Sequence, residues 1–339
     1  MADYKTIRGF KIRSVASDPT VDLGQLWYNT ASNTIKFDSV GAGAWATGTA
    51  IPAATRGTLG FGSSTAAIMA TGQTPPDSAP TTSFLWNGSS WAEDATVNNG
   101  RREGSGWGIS SPSGAIVGGY SAALGNYDGS EEFDGTSWTA LAAMNLGRTG
   151  GAAAGTVTAG MTMAGSGGPS GAMTDTTELW NGTAWTEVND VNTARAYLGP
   201  AFQGTTTAAM IFGGLTPGAS WGTAYKSCEQ WNGVGWTEVN DLNTGRGHGG
   251  GAGTQTGALY YGGSGPTYPG ARAETEEWNG TSWTEVGDLS GDRREFCTSN
   301  GTSTASLSIG GYGPPPTTFN TLVEVWNGAP AGVKTVTTS

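Results

Sequence analysis

A pair of aromatic residues flanking a short turn recurs along the chain at nearly constant spacing. The strings LWNGSSW (85–91), FDGTSW (133–138), LWNGTAW (179–185), QWNGVGW (230–236) and EWNGTSW (277–283) align without adjustment. Their last tryptophans, Trp91, Trp138, Trp185, Trp236 and Trp283, are separated by 47, 47, 51 and 47 residues. Trp45 lies 46 residues before Trp91, and Trp326 lies 48 residues after Trp278. A period in this range marks a repeat architecture, in which each unit buries its apolar face against its neighbours.

Further landmarks divide each unit. An arginine follows the last tryptophan by ten residues at Arg101, Arg148, Arg195, Arg246 and Arg293, and by eleven at Arg56. A Gly/Ala-rich stretch comes next, then a short turn, then an apolar run ending in small residues, as in AIVGGY, AAMIFGG and ALYYGG. A longer connection leads to the next aromatic pair. The pattern predicts four short antiparallel strands per unit, with Asn-Gly as a two-residue hairpin between the third and fourth. Four strands in roughly 47 residues is the size of a β-propeller blade. Gly and Ala suit the crowded inner strand, and Trp suits the wide outer ones.

The chain enters its repeat partway through. Trp45 opens a fourth strand with no third before it, and Trp326 ends a third strand with little after it. The two halves complete each other, which removes the exposed sheet edges. The expected fold is therefore all-β: a six-bladed propeller over 44–328, its ring closed by the N-terminal strand. Residues 1–43 form an arm with a hairpin at 24–37, and 329–339 form a C-terminal tail.

Composition narrows the function. The formal net charge is −11, and no basic stripe is present, so a nucleic-acid partner is not expected. The start, MADYKTIRGF, lacks the apolar core of a secretory signal, and no run of 18 apolar residues exists for membrane insertion. Cys228 and Cys297 lie in different units without metal-ligand spacing; two buried thiols or a bridge fit the sequence. The single histidine, His248, sits in the inner-strand run GRGHGGG, either lining the axis or as a chance polar residue there.

The arginine position, the apolar strand ending in Gly-Gly and the tryptophan opening the fourth strand resemble the kelch motif over about residues 44–328. Galactose oxidase, a kelch-type enzyme, implies a copper centre with two histidines, which this chain cannot supply. Kelch-like propellers otherwise host adaptors, lectin-like binders and a few enzymes. A narrower resemblance adds to this one. MADYKTIRGFKI, then GQLWYNTASNTIKF (24–37), then WNGTSWTEV-like repeats are similar to predicted virion and tail-associated proteins of aquatic bacteriophages, including cyanophages. That resemblance implies a virion component that contacts the host surface or another virion protein.

Individual residues are read against bland alternatives. Glu131, Glu178, Glu229, Glu276 and Glu324 each precede a third-strand aromatic by two residues, so the repeated Arg and Glu are expected to pair structurally. Asp190, Asp241 and Asp288 recur singly, which favours turn capping over calcium. No catalytic set, metal site or cofactor is expected. The connections between second and third strands vary most and hold ten of the 15 prolines. Their aromatics outside the repeat, Tyr127, Trp221, Tyr225, Tyr268, Tyr312 and Phe319, are the expected ligand or partner surface. Lys5, Arg8, Lys11 and Arg13 make the arm basic and are the expected contacts to other virion proteins. The leading expectation is thus a non-enzymatic tail- or fibre-associated virion protein recognising a host-surface glycan or protein; a cellular carbohydrate-binding lectin is the alternative.

Overall fold

The computed structural model describes residues 4–7, 10–17, 26–40, 43–110, 113–168, 171–216, 223–265, 270–295, 300–313, 319–328 and 331–335. These residues are strands and turns with no α-helix, so no helix is long and apolar enough to cross a membrane among them. The chain divides into two compact units, one of residues 1–44 with 328–339 and one of 45–327.

The first unit is a five-stranded sheet in the order Tyr4–Ile7, Phe10–Val15, Leu26–Asn29, Thr34–Val40, Ala331–Thr335. Phe10–Val15 and Leu26–Asn29 run parallel, and the other pairs are antiparallel. The turn at 30–33 is held by Asn29, whose Oδ1 accepts from the Ala31 and Ser32 N–H groups at 3.0 Å. Ile12 and Trp27 are buried. The segment after 328, a tail in the sequence reading, instead supplies an edge strand: Ala331 to Thr335 pairs with Val40 to Lys36. Its Ala-Gly-Val-Lys-Thr run continues the sheet because Lys36–Val40 otherwise presents unpaired backbone.

The second unit is a series of antiparallel sheets, one per repeat. Leu59–Gly62, Ala67–Ala70, Ser83–Trp86 and Trp91–Asp94 form the first. Ser105–Ser110, Ser113–Val117, Ser130–Phe133 and Trp138–Ala140 form the next. The pattern recurs along the chain; in the third repeat the inner strand is split into Arg148–Thr149 and Ala152–Thr156. The last sheet takes Ala305–Ile309 and Val323–Asn327 from one end of the repeats and Ala44–Thr47 from the other.

Packing runs between consecutive sheets. Ala152, Met161 and Met163 of one repeat share a cluster with Ile211, Trp231 and Trp236 of the next. Ile51, Met69 and Trp86 of the first repeat pack with Leu307, Ile309 and Val323 of the last. The tryptophans divide the work. The third-strand Trp86, Trp180, Trp231, Trp278 and Trp326 donate to carbonyls of their own repeat at 2.8–3.0 Å. The fourth-strand Trp91, Trp185 and Trp236 donate to Thr49 O, Ala142 O and Thr177 Oγ1 of the preceding repeat. Burying each indole while satisfying its N–H is what makes it a structural anchor.

The hairpin between them differs from the expected two-residue turn. Trp86 pairs with Trp91 and Trp180 with Trp185, which leaves four loop residues. Asn87 does not take the left-handed conformation that a type I′ turn requires; Gly88 does, at φ +92°. The Asn87 side chain caps the loop instead, its Oδ1 accepting from Ser89 N and Ser90 N at 3.0 and 2.9 Å. Asp134, Asn181, Asn232 and Asn279 do the same.

The repeated arginine and glutamate pair inside every repeat but the first. Arg195–Glu229 and Arg246–Glu276 lie at 2.6 and 2.8 Å, and Arg101–Glu131, Arg148–Glu178 and Arg293–Glu324 are paired likewise. All ten side chains are buried. The first repeat corrects the alignment. Thr55, not Arg56, occupies the arginine position: its carbonyl accepts from Gly311 N, as that of Arg101 accepts from Gly72 N and that of Arg148 from Gly119 N. In that same repeat Phe84 stands where the others carry glutamate, and it is buried with Ile51 and Met69. Both members of the pair are replaced together.

A buried pair broken on one side leaves a charge without compensation, at a cost of about 3–5 kcal/mol. Glu178→Ala is expected to lose about that much in urea denaturation. The double variant Arg148→Thr/Glu178→Phe, which copies the first repeat, is expected to recover most of it; a double variant as unstable as the sum of its parts would contradict the pairing.

Candidate functional site

Two residues past each arginine position the backbone turns left-handed. The six residues there are Gly57, Glu103, Gly150, Tyr197, His248 and Glu295. Each donates its backbone N–H to the carbonyl of the preceding one: Glu103 to Gly57, Gly150 to Glu103, Tyr197 to Gly150, His248 to Tyr197, Glu295 to His248, and Gly57 to Glu295, all at 2.6–2.8 Å. The sixth bond returns to the residue that began the series. The geometry demands a left-handed backbone, with φ between +56° and +62° at every position. Glycine adopts this freely; Glu, Tyr and His do so under strain of about 1–3 kcal/mol each. Such strain gathers at sites where the side chain is needed.

These side chains line one cavity of about 50 Å³, enough for a few waters, with Gly57, Gly150, Leu198 and Pro200 completing the wall. Tyr197 stacks on His248, ring centroids 4.0 Å apart, and its hydroxyl lies 3.4 Å from Glu103 Oε2. His248 Nδ1 lies 3.3 Å from Ser264 Oγ. Burial raises the Glu103 carboxyl above the usual carboxylate range, and the Glu295 carboxylate raises it further. Burial likewise raises the Tyr197 phenol, with Glu103 adding to it. The His248 imidazole is pulled down to about 4 by burial. At neutral pH the Tyr197 and His248 part of the wall is therefore uncharged and offers directional donors and acceptors.

One residue before each of these, three repeats carry arginine: Arg294, Arg56 and Arg102. The other three carry Thr149, Ala196 and Gly247. Backbone bridges such as Arg56↔Gln73, Arg102↔Tyr120 and Arg294↔Tyr312 set this position against the start of the long, variable loops. Arg56 reaches Glu295 at 3.0 Å and Gln73 Oε1 at 2.7 Å. Arg294 Nε lies 3.3 Å from Glu295. Arg102 reaches Asp77 and Glu103, each at 3.4 Å. Three arginines thus lie against the two cavity glutamates.

The residues expected from sequence fall into groups. Tyr312 belongs to the mouth, its ring 4.8 Å from both the Arg56 and Arg294 guanidinium carbons. Phe319 meets Tyr312 edge-on and lies 5.2 Å from Arg56. Tyr127 and Tyr225 are half-buried over the structural arginines Arg101 and Arg195, at 5.1 and 5.8 Å, away from the axial cluster. Trp221 and Tyr268 lie outside the described residues, as does Arg8. Lys5 and Lys11 lie on the first two strands of the chain-end sheet, and Arg13 is exposed there. Asp190 and Asp288 accept from Thr177 N and Thr275 N at 3.2 Å, a capping role. Among the described residues no His/Cys/Asp/Glu group could hold a metal ion. Cys228 is buried, its thiol pushed up to about 12 by burial, and Cys297 is outside the described residues.

Sequence reasoning finds no clustered acid–base set, yet the fold assembles Glu103, Tyr197, His248 and Glu295. The signal was present as a string. RRE occurs at 101–103 and again at 293–295. Its first arginine is the structural one, and the two residues after it break the repeat.

Among solved structures, the chain resembles the one titled "Structure of YjhT", with a TM-score of 0.67 at 13% sequence identity, over 83% of this chain and 99% of that one. At this identity the likeness is one of fold alone. No family model matches the sequence, and no curated protein matches it.

Protonation of His248 is linked to stability. Below pH 6.5 the unfolded chain takes up a proton that the folded chain refuses, so its contribution is complete above pH 6.5 and lost as the pH falls through about 4. His248→Asn keeps a residue that tolerates the left-handed backbone and removes the titration. The parent is expected to lose up to about 3 kcal/mol relative to this variant between pH 7 and pH 4, read from urea midpoints. Parallel pH profiles would contradict a buried neutral imidazole.

Proposed function

We propose that this chain is a six-bladed, kelch-like β-propeller that acts as a non-enzymatic binding component of a bacteriophage particle, associated with its tail or fibres. Three observations support the ring. The inner backbone hydrogen bonds return to their starting residue after six members. The first and last repeats share a core cluster. The last sheet takes one strand from the start of the repeats. Closure of this kind leaves only the short fourth strands as sheet edges in the repeat body.

The observation that carries a binding role is the broken repeat at the axial mouth. Arg56, Arg102, Glu103, Tyr197, His248, Arg294 and Glu295 occupy positions that differ among the repeats, and none is part of the Arg–Glu scaffold pairs. They lie beside the variable loops, where a rigid frame carries recognition. The chain-end sheet, with Lys5, Lys11 and Arg13, serves in this reading as the attachment to other virion proteins. The particle assignment rests on the resemblance of the chain start and of GQLWYNTASNTIKF to phage virion proteins.

Mass spectrometry of purified phage particles is expected to recover peptides of this chain at a stoichiometry fixed relative to other tail proteins. Its absence from washed particles would overturn the reading.

A further inference from the structure

We propose that a carboxylate-bearing ligand of about monosaccharide size binds between the first and second repeats, its carboxylate held by Arg102. The proposal rests on the reading of the long-loop face as the recognition surface. A pocket of about 330 Å³ opens there, lined by Asp77 and Ala79 of one loop, Gly100 and Arg102, and Tyr120 and Ala123 of the next loop. That volume is at the lower end for small-ligand sites and suits one sugar ring rather than a chain.

Arg102 is built as an anchor. Its side chain is 26% exposed, so a ligand can reach it. The Tyr120 ring lies 5.1 Å from its guanidinium carbon and limits its motion. Its Nε is buried and faces Glu103 Oε1 at 3.4 Å, its Nη1 meets Asp77, and its Nη2 has no acceptor among the described residues. Nη1 with Nη2 is one of the two edges of a guanidinium that match a carboxylate bidentately, and it is open once Asp77 is displaced.

Asp77 identifies the ligand class. It is 75% exposed, yet its Oδ1 reaches Arg102 Nη1 at 3.4 Å and also pairs with Gln73. A solvated loop carboxylate that meets Arg102 only at long range and otherwise accepts from Gln73 is a weak occupant of the guanidinium, which a better-placed carboxylate displaces. Once Asp77 leaves, Arg102 is the one charged group lining this pocket. A single positive charge favours a monoanion over a phosphate dianion. The chain as a whole carries −11, so this recognition is local and does not come from long-range attraction.

The test titrates the full chain with glucuronate, glucose, acetate and inorganic phosphate by calorimetry and by NMR of the arginine side chains. Glucuronate is expected to bind, acetate more weakly, and glucose not at all. Arg102→Gln is expected to weaken glucuronate at least tenfold with an unchanged thermal midpoint. Asp77→Asn, which removes the competing carboxylate, is expected to tighten it severalfold. If Arg102→Gln fails to fold, the Asp77→Asn result decides, since a purely structural Arg102 predicts no tightening. No glucuronate binding, equal binding in all three proteins, or preference for phosphate would overturn the proposal. Those results leave the virion reading standing if the chain is in purified particles; glucuronate binding by a chain absent from particles would overturn that reading alone.

Discussion

Every repeat but the first is tied together by a buried ion pair. The arginine comes from the inner edge of the sheet and the glutamate from its third strand, so the pair spans strands that are not neighbours. The glutamate does more than neutralise. Glu131 Oε2 also accepts from the backbone N and side-chain Nδ2 of Asn98 at 2.7 and 2.8 Å, and Glu178, Glu229 and Glu276 hold Asn145, Asn192 and Asn243 in the same way. Those asparagines lie in the segments that carry the chain into each repeat. The arginine carbonyl accepts from the preceding repeat, as Gly72 N to Arg101 O. One pair therefore fixes the inner strand, the third strand and the junction between repeats.

An ion pair of this kind adds little net stability over a well-packed apolar replacement, because desolvation offsets the attraction. The first repeat demonstrates the replacement within the same molecule, with Thr55 and Phe84 in place of Arg and Glu. What the pair supplies is registry. A guanidinium with a fixed fork accepts only one placement of its carboxylate, whereas packed apolar groups tolerate sliding. Both members change together because either alone would leave a buried charge or an unfilled space.

The periodic part of this molecule was legible from spacing. Tryptophans 47 residues apart, an arginine ten residues on and a glutamate two before the aromatic located the strands, the inner edge and the Arg–Glu partnership. Three things were not. The Asn-Gly hairpin read as a two-residue turn because that dipeptide favours one, but the Asn side chain caps a four-residue loop and the backbone follows it. Arg56 read as a scaffold arginine because one-residue slippage is invisible to a spacing count. The chain end read as a tail because its pairing partner lies some 290 residues earlier. The cavity cluster was hidden for the opposite reason: a search for repeated residues discards what departs from the repeat, and Glu103, Tyr197, His248 and Glu295 are those departures.

The six left-handed positions show what the scaffold carries beyond its repeat. Every one of them must be left-handed, because the inner hydrogen bonds fix the backbone irrespective of side chain. Gly57 and Gly150 are the solution without strain. Glu103, Tyr197, His248 and Glu295 forgo it, each at a cost of about 1–3 kcal/mol, and three of the four are titratable groups whose burial shifts them against ionisation. Neither the strain nor the desolvation contributes to folding. Packing does not require these side chains either, since two repeats manage with none. A scaffold tied by repeated pairs and indole anchors can carry that burden at these positions, where the four side chains share one cavity.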